Sequence, residues 1–461
     1  MRQTFREYTI RQMNIHCNFK PSWVIRFVVL ALTPLLMKGR CVCAAEAADS
    51  PLRRIPIGLA YASDAVNTGI FRVSAVQTAG NRQFVIYYAP EGNVVVGERE
   101  LPGDKWDLAV QSFKGNVRDA HNDAVLGISA DGLLHISYDH HDSPLHYRVS
   151  RKPYDIHSFG EEQAMTGQDE GRVTYPEFLS APDGTLYFFY RDGASGNGSL
   201  CMNRYDVKSN SWQAVQHPLI DGQGKRNPYW WRPSIGADGT IYVGWCWRDT
   251  PNAATNHDLC FTCSKDGGRT WLRSDGQAQT LPITLENAQI VDPIPTGSNL
   301  INQCSSAVDA QGHCHLVQYF NDTDGVPQYF DEWFDGSKWH KSQVSHRTGK
   351  FSLSGGGALA IPISRPEVAI TRGGTAYVIS RDAEVGGGIR IYEASAPYET
   401  WRAKDVTHDD LGNWEPDYDL ARFRDSDVLS LFVLPVVQGN HEQTTNFGPH
   451  EAAILELPIK Q

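Results

Sequence analysis

The sequence predicts an all-β chain folded as one seven-bladed β-propeller. Three observations predict it. First, one hairpin turn recurs: Gly132, Gly184, Gly239, Gly312 and Gly374 follow one another at 52, 55, 73 and 62 residues, and the turn at Asp425 to Asp427 comes about 52 further on. Periods near 50 with several short strands in each are the mark of propeller blades. Second, the 461 residues include 41 Gly and are 41% hydrophobic, which suits a globular, turn-rich β protein. Third, few capped segments of 3.6-residue period occur.

The units fall at 68–113, 120–160, 173–217, 230–287, 300–346, 363–406 and 413–459, with no linker between them. In the second unit an apolar strand from Ala124 to Ile128 meets Asp131-Gly132 and returns from Leu133 to Tyr138. In the third, Tyr175-Pro176 leads to Asp183-Gly184 and a return from Thr185 to Tyr190. The fourth returns from Thr240 to Trp247, the fifth from His313 to Phe320, the sixth from Thr375 to Ser380 and the seventh from Val428 to Leu434. Trp106, Trp212, Trp271, Trp339 and Trp401 recur near the ends of units. Residues 264–271 read S-x-D-x-G-x-x-W, the Asp-box hairpin of sialidase-type propellers, in which Asp and Ser tie the turn and Trp packs between strands. Ring closure is expected from a terminal strand, Glu451 to Pro458, which also removes a sheet edge.

Residues 1–47 read as an export leader. Basic residues up to Arg26 precede the apolar run Phe27 to Met37, then small residues Ala44-Ala45-Glu46-Ala47, and Met13 is an alternative start. The apolar run is shorter than the ~20 residues of a membrane span. The expected mature chain, 48–461, is a single secreted or periplasmic domain, monomeric and free of the membrane. Its net charge of −11 argues against a nucleic-acid partner. A local basic cluster can still make one cleft positive on an acidic body.

In a two-stranded hairpin the start of the first strand lies beside the end of the second. His121 is therefore expected near His141, and Tyr175 near Arg191. In a propeller these positions collect around one central mouth. The same rule brings Asn122, Trp231-Arg232, Asn302-Gln303, Arg365 and Trp414-Glu415 to strand starts, and Tyr190, Arg248 and Arg381 to returns. A mouth of Arg, His, Tyr and Trp suits an acidic sugar: guanidinium pairs bidentately with carboxylate or sulfate, and aromatic rings stack on pyranose faces.

Uronate polymers can be cut by β-elimination. A cation must neutralise the C6 carboxylate, a base must take the C5 proton, and an acid must protonate O4. Arg191, His121 and Tyr175 supply those residue types, and no paired-carboxylate arrangement for hydrolysis is evident. Substrate contacts are expected from Asn122, Tyr190, Arg232, Arg248, Asn302 and Arg365.

Several segments carry a resemblance: R-D-A-H-N (118–122), D-G-L-L-H-I-S-Y-D-H-H (131–141), T-Y-P-E-F (174–178), Y-F-F-Y-R-D-G-x-S-G-N-G (187–198), W-W-R-P-S (230–234) and T-N-H-D-L-C (255–260). In them the chain resembles the seven-bladed propeller polysaccharide lyases, in particular ulvan lyases with BNR repeats. The resemblance implies a rhamnose-uronate, sulfated substrate, Arg191 as carboxylate neutraliser, His121 and Tyr175 as acid/base partners, and His141 in support. It also implies a structural metal, for which Cys246, His257, Cys260 and His315 form a soft donor set suited to zinc, with Cys263 an equally reachable substitute. No organic cofactor is expected. Two other readings stay open: a sialidase-like hydrolase, because Arg54-Ile55-Pro56 resembles a sialidase start, and a carbohydrate-binding propeller without catalysis.

Overall fold

The computed structural model describes residues 52–69 and 71–459. The leader expected at 1–47 lies outside the described residues. Seven antiparallel sheets follow one another along the chain, and they are the seven blades. Blade one holds strands Val76–Ala79, Arg82–Tyr88, Asn93–Glu100 and Trp106–Lys114; blade two holds Ala124–Ile128, Leu134–Tyr138 and Tyr147–Val149. Blade three holds Val173–Ser180, Leu186–Ala194, Asn197–Asp206 and Ser211–Asp221. Blade four is built on Asn227–Trp230, Ile241–Arg248, Asn256–Ser264 and Gln289–Asp292, with Ser234–Ile235 beside the second of these. Blade five has Ser305–Val308, Cys314–Asn321, Pro327–Phe334 and Trp339–Gln343; blade six has Glu367–Ile370, Thr375–Arg381, Ile389–Ser395 and Arg402–Asp405.

Blades stack face to face, so their middle strands are buried on both sides. That is why Arg82–Tyr88 and Ile241–Arg248 read as near-continuous apolar runs rather than alternating ones. Close stacking needs missing side chains at two points. A Cβ on Gly127 would lie 2.7 Å from Phe178 of the next blade, and one on Gly244 would lie 2.6 Å from Leu316. The recurring turn glycines share one left-handed conformation, with φ of +81° at Gly132, +83° at Gly184, +82° at Gly239, +87° at Gly312 and +81° at Gly374. The Asp box folds as expected. Asp266 accepts from the Ser264 hydroxyl at 2.9 Å and from the Thr270 N–H at 2.9 Å, while the buried Trp271 indole donates to the Gly268 carbonyl.

Two expectations are corrected. The strand His450–Pro458 does not close the ring alone: it pairs with Val428–Val433 on one side and with Arg53–Ala60 on the other. The N-terminal strand thus completes blade seven from outside and covers the edge that the C-terminal strand would expose. Arg54, read as a sialidase-like feature, stands exposed in this closing strand. The turn at Asp425 to Asp427 is instead the end of a short helix, Leu420–Ser426, stopped by Asp427 in the left-handed conformation at φ 52°. No helix among the described residues is long and apolar enough to cross a membrane.

One departure from regular blades builds the site. After Tyr138 the chain leaves blade two, and the short strand His141–Ser143 pairs with Val173–Ser180 of blade three, setting His141 opposite Thr174. The two hairpin ends are thereby stitched together.

Candidate active site

The mouth at the strand-start end of the axis gathers His121, His141, Tyr175, Arg191, Tyr229 and Arg248. The His121 and His141 rings stack with centroids 4.1 Å apart. Asp119 sits between them: one oxygen is 2.9 Å from His121 Nδ1 and the other 2.6 Å from His141 Nδ1. Its side chain bends back because the His121 N–H also donates to it at 3.0 Å, a turn that Asp favours. Burial works against the Asp119 anion, but hydrogen bonds from both imidazoles hold its carboxyl well below the usual range. Burial alone would likewise lower the His121 pKa. The Asp119 and Glu442 carboxylates outweigh it and push the imidazole up to about 9, so His121 is a cation at neutral pH. Asp64 faces the same group and is pushed up to about 7 by burial and by Asp119 and Glu442, against a backbone hydrogen bond from Val66.

Tyr175 is aimed by backbone strain. It has φ 57°, in a bulge where the register between Val173–Ser180 and Leu186–Ala194 slips between Thr174 and Glu177. A bulky residue in the left-handed region costs energy, and such strain gathers at functional positions. The bulge turns the ring into a cage: Arg191 lies 4.7 Å over its face, Phe71 at 5.3 Å, His121 at 5.8 Å and Tyr229 at 6.0 Å.

Arg191 is buried and donates Nε–H to the Gly193 carbonyl and Nη2–H to Thr174 Oγ1, while Nη1 has no hydrogen-bond partner among the described residues. Arg248 is fully engaged by Asn256, Tyr229 and Asn302, at 2.7, 3.2 and 2.6 Å. Tyr229 stands between these guanidiniums and hydrogen-bonds Ser195 Oγ at 3.0 Å. Burial would raise the Tyr229 pKa, but Arg248, Arg191 and the Ser195 hydrogen bond bring it down to about 8. Tyr175 goes the other way, pushed well above its ordinary value by burial and by the charge Tyr229 would carry. The two phenols share the cations, so their titrations are coupled: the pair gives up one proton readily and holds the other.

Of the expected substrate contacts, Arg248, Asn302 and Arg365 reach the mouth. Arg365 lies 5.3 Å over the Phe71 ring and 3.3 Å from Glu415. Three do not. Asn122 is buried with its amide donating to the Asn116 carbonyl. Strand alternation turns Tyr190 away into the core beside Phe188, with its hydroxyl donating to the Gln168 carbonyl. Arg232 lies 2.7 Å from Glu367 and lines a separate cavity at the opposite end of the axis.

The expected zinc ligands are not gathered. Cys246 pairs with Leu259 and Cys260 with Trp245, adjacent rungs whose side chains leave opposite faces of the sheet. His257 is held by Asp258, and His315 lies in blade five against Asp331 and Trp333. Burial pushes the Cys246 thiol up to about 12 and holds Cys260 well above its ordinary value, against the thiolate form that binds zinc. Among the described residues, Asp119, His121 and His141 form the one cluster of such groups within 4.8 Å of each other, and the hydrogen bonds above account for it without an ion.

Sequence reasoning missed Phe71, Asp119, Tyr229 and Glu442. Tyr229 was within reach, because it opens blade four as Tyr175 opens blade three. Asp119 precedes His121 by two residues, the spacing of a local side-chain-to-backbone turn.

A family model described as a BNR repeat-containing family member matches residues 82–347. The chain is 27% identical over 256 residues to an "Ulvan lyase, long isoform" of Pseudoalteromonas sp. (strain PLSV), a match covering 50% of this chain and 25% of that protein. The chain thus spans about a quarter of the length of that curated relative. A solved structure described as a polysaccharide lyase PL25-Ulvanlyase matches with a TM-score of 0.65 at 15% identity, covering 84% of this chain and 97% of that one. Another, of the same description bound to -[GlcA(1-4)Rha3S]-, matches with a TM-score of 0.64 at 15% identity and the same two coverages, 84% and 97%. At this identity the structural likeness concerns the fold.

Proposed function

The chain belongs to the BNR repeat-containing family, and we propose that it is a secreted polysaccharide lyase that cleaves a uronate-containing, sulfated polymer of the ulvan type by β-elimination. The observation that carries this reading is the placing of two phenols, Tyr175 and Tyr229, with ring centroids 6.0 Å apart, against the Arg191 and Arg248 guanidiniums, with Arg191 Nη1 left without a hydrogen-bond partner among the described residues. Finding neighbouring titratable groups driven apart is the way to assign acid and base. Support comes also from the ulvan lyase relative and from the uronate oligosaccharide bound by a protein of the same fold.

In this reading the C6 carboxylate is held by Arg191 Nη1 and the His121 imidazolium. They stabilise the charge that develops when C5 loses its proton. Tyr229, the readily ionised phenol, takes that proton. The C5 electron pair becomes the C4–C5 double bond, the C4–O4 bond breaks, and Tyr175 gives its hydroxyl proton to O4. His121, expected from the sequence as an acid/base partner, acts on the cationic side because two carboxylates keep it protonated. His141 supports it through Asp119, and Arg248 and Asn302 fix Tyr229.

The test is an ultraviolet assay for the unsaturated product on ulvan and other uronate polymers, beside a fluorogenic sialoside. Turnover of a uronate polymer with an unsaturated end supports the reading. Sialoside turnover without it favours a hydrolase. Secretion is tested by N-terminal sequencing of the mature chain, with cleavage after Ala44 or Ala47 expected.

A further inference from the structure

The mouth is crossed by a strap. Between blades five and six, residues 353–361 run from a blade-four loop to a blade-seven loop without joining a strand. At one end the Gly355 N–H donates to Asn252 Oδ1 and the Ala253 N–H donates to the Gly355 carbonyl, both at 2.8 Å. At the other, the Ala358 N–H donates to Glu442 Oε1 at 2.6 Å, the His441 N–H donates to the Ala358 carbonyl at 2.8 Å, and the Ala360 N–H donates to Asn440 Oδ1 at 2.8 Å. The middle of the strap is Gly355-Gly356-Gly357, with φ of +101° at Gly355 and +69° at Gly357. Leu353, Ala358, Leu359 and Ile361 line the cavity beneath.

Glu442 reaches both the strap and the candidate catalytic group. The oxygen that accepts from Ala358 also lies 3.3 Å from His121 Nδ1, and the other oxygen is buried without a hydrogen-bond partner among the described residues. His441 and Glu442 both stand in the left-handed conformation at φ 58°, a strained pair that its contacts must hold. A Cβ on Gly357 would come within 2.6 Å of the same Glu442 oxygen, so the strap packs directly on the carboxylate. With the strap down, the cavity is about 120 Å³ and His121 is only 7% exposed.

We propose that residues 353–361 form a lid over the mouth and that Glu442 is its latch, a positioning residue that shares one carboxylate between the Ala358 N–H and His121. Lifting the lid breaks the Ala358 hydrogen bond and lets the carboxylate leave His121. Closing over a bound sugar restores both contacts at once. The catalytic consequence rests on the lyase reading, but the latch does not. The charged or titratable groups around His121 are Asp119, Glu442, Asp64, Asp123, His141, Tyr175 and Tyr229.

The test uses the full chain without substrate. Amide exchange at Ala358 and Ala360 and the titration of His121 are followed by NMR in wild type, Glu442→Gln and Glu442→Ala. Glu442→Gln keeps an oxygen for Ala358 but no charge, so exchange should hold while His121 titrates at lower pH. Glu442→Ala should do both: lower the His121 titration and speed Ala358 exchange roughly tenfold, the worth of one such hydrogen bond. Unchanged exchange in Glu442→Ala, or an unmoved His121 in Glu442→Gln, overturns the latch. If the latch holds and wild type still turns over no uronate polymer, the lyase reading fails and the lid stands. On a turned-over polymer, Glu442→Ala should lower kcat more than it raises KM, and Glu442→Asp should recover part of the loss. A rise in KM alone would overturn the link to His121.

Discussion

Arg191 and Arg381 hold similar places, late in the second strand of blades three and six, each followed by Asp and each buried. They differ in what is left over. Arg381 donates to the carbonyls of Trp414, Pro362 and Ile361 and is consumed by the fold. Arg191 lies over the Tyr175 ring and keeps Nη1 without a partner among the described residues. Unpartnered guanidinium nitrogens also occur on Arg72 and Arg232 among the described residues, so the free Nη1 of Arg191 counts because this side chain lines the mouth against Tyr175. Arg248 falls between: its hydrogen bonds are used, but one is spent on Tyr229. A repeated residue type is therefore architecture until its hydrogen bonds are counted.

The comparison breaks first on turnover. Arg191→Gln is expected to lower kcat by roughly 10²–10³, the loss seen when one donor to a developing oxyanion is removed. Circular dichroism should stay unchanged. Arg381→Gln should instead leave kcat within a few-fold and destabilise the fold by roughly 3 kcal/mol, read from a denaturant midpoint, since it strands buried carbonyls. The reverse pattern would mean that the leftover nitrogen carries no function.

Proton chemistry sharpens the same contrast. With Tyr229 needed as phenolate and His121 as imidazolium, kcat/KM should rise through about pH 8 and fall through about pH 9, a narrow alkaline bell. Tyr229→Phe should lower the rate about 10²-fold and remove the ascending limb, while Tyr175→Phe should lower the rate and keep that limb. An ascending limb that survives Tyr229→Phe would assign the base elsewhere.

The smallest effect concerns the interior of the axis, where one Glu177 oxygen is left without a hydrogen-bond partner among the described residues. Burial pushes Glu177 up to about 8, against the Trp230 indole hydrogen bond and Arg232. A carboxyl raised this way binds its proton more tightly folded than unfolded. Its contribution to stability is full below its ordinary pKa and lost as pH rises to about 8. Glu177→Gln should leave Tm unchanged at acid pH and raise it by a few degrees above pH 8. An equal shift at both ends of the range would contradict the protonated state.

Much of this was legible in the sequence because propeller turns repeat. The recurring turn glycines set the blades, and the antiparallel rule placed His121 near His141 and Tyr175 near Arg191, while the pairing of His141 with Thr174 that joins the two ends was not legible. What failed depended on facing. Tyr190, inside Leu186–Ala194, and Arg232, just after Asn227–Trp230, face the core and the far end of the axis, which position along the chain does not reveal. The closing strand escaped because Arg53–Ala60 pairs with residues some 400 positions away, as the 403-residue separation of Arg53 and Glu456 illustrates. The strap and Glu442 lie in loops, where no period exists to read. The zinc set failed because four soft donors near in sequence type need not share a face.

The most direct test is the mass of the products released by the wild-type chain from a sulfated rhamnose-uronate polymer. Elimination predicts fragments whose new non-reducing end is unsaturated and whose summed mass equals that of the parent, with no water gained. Fragments whose summed mass exceeds that of the parent by one water for each bond cut would show hydrolysis and contradict the lyase reading.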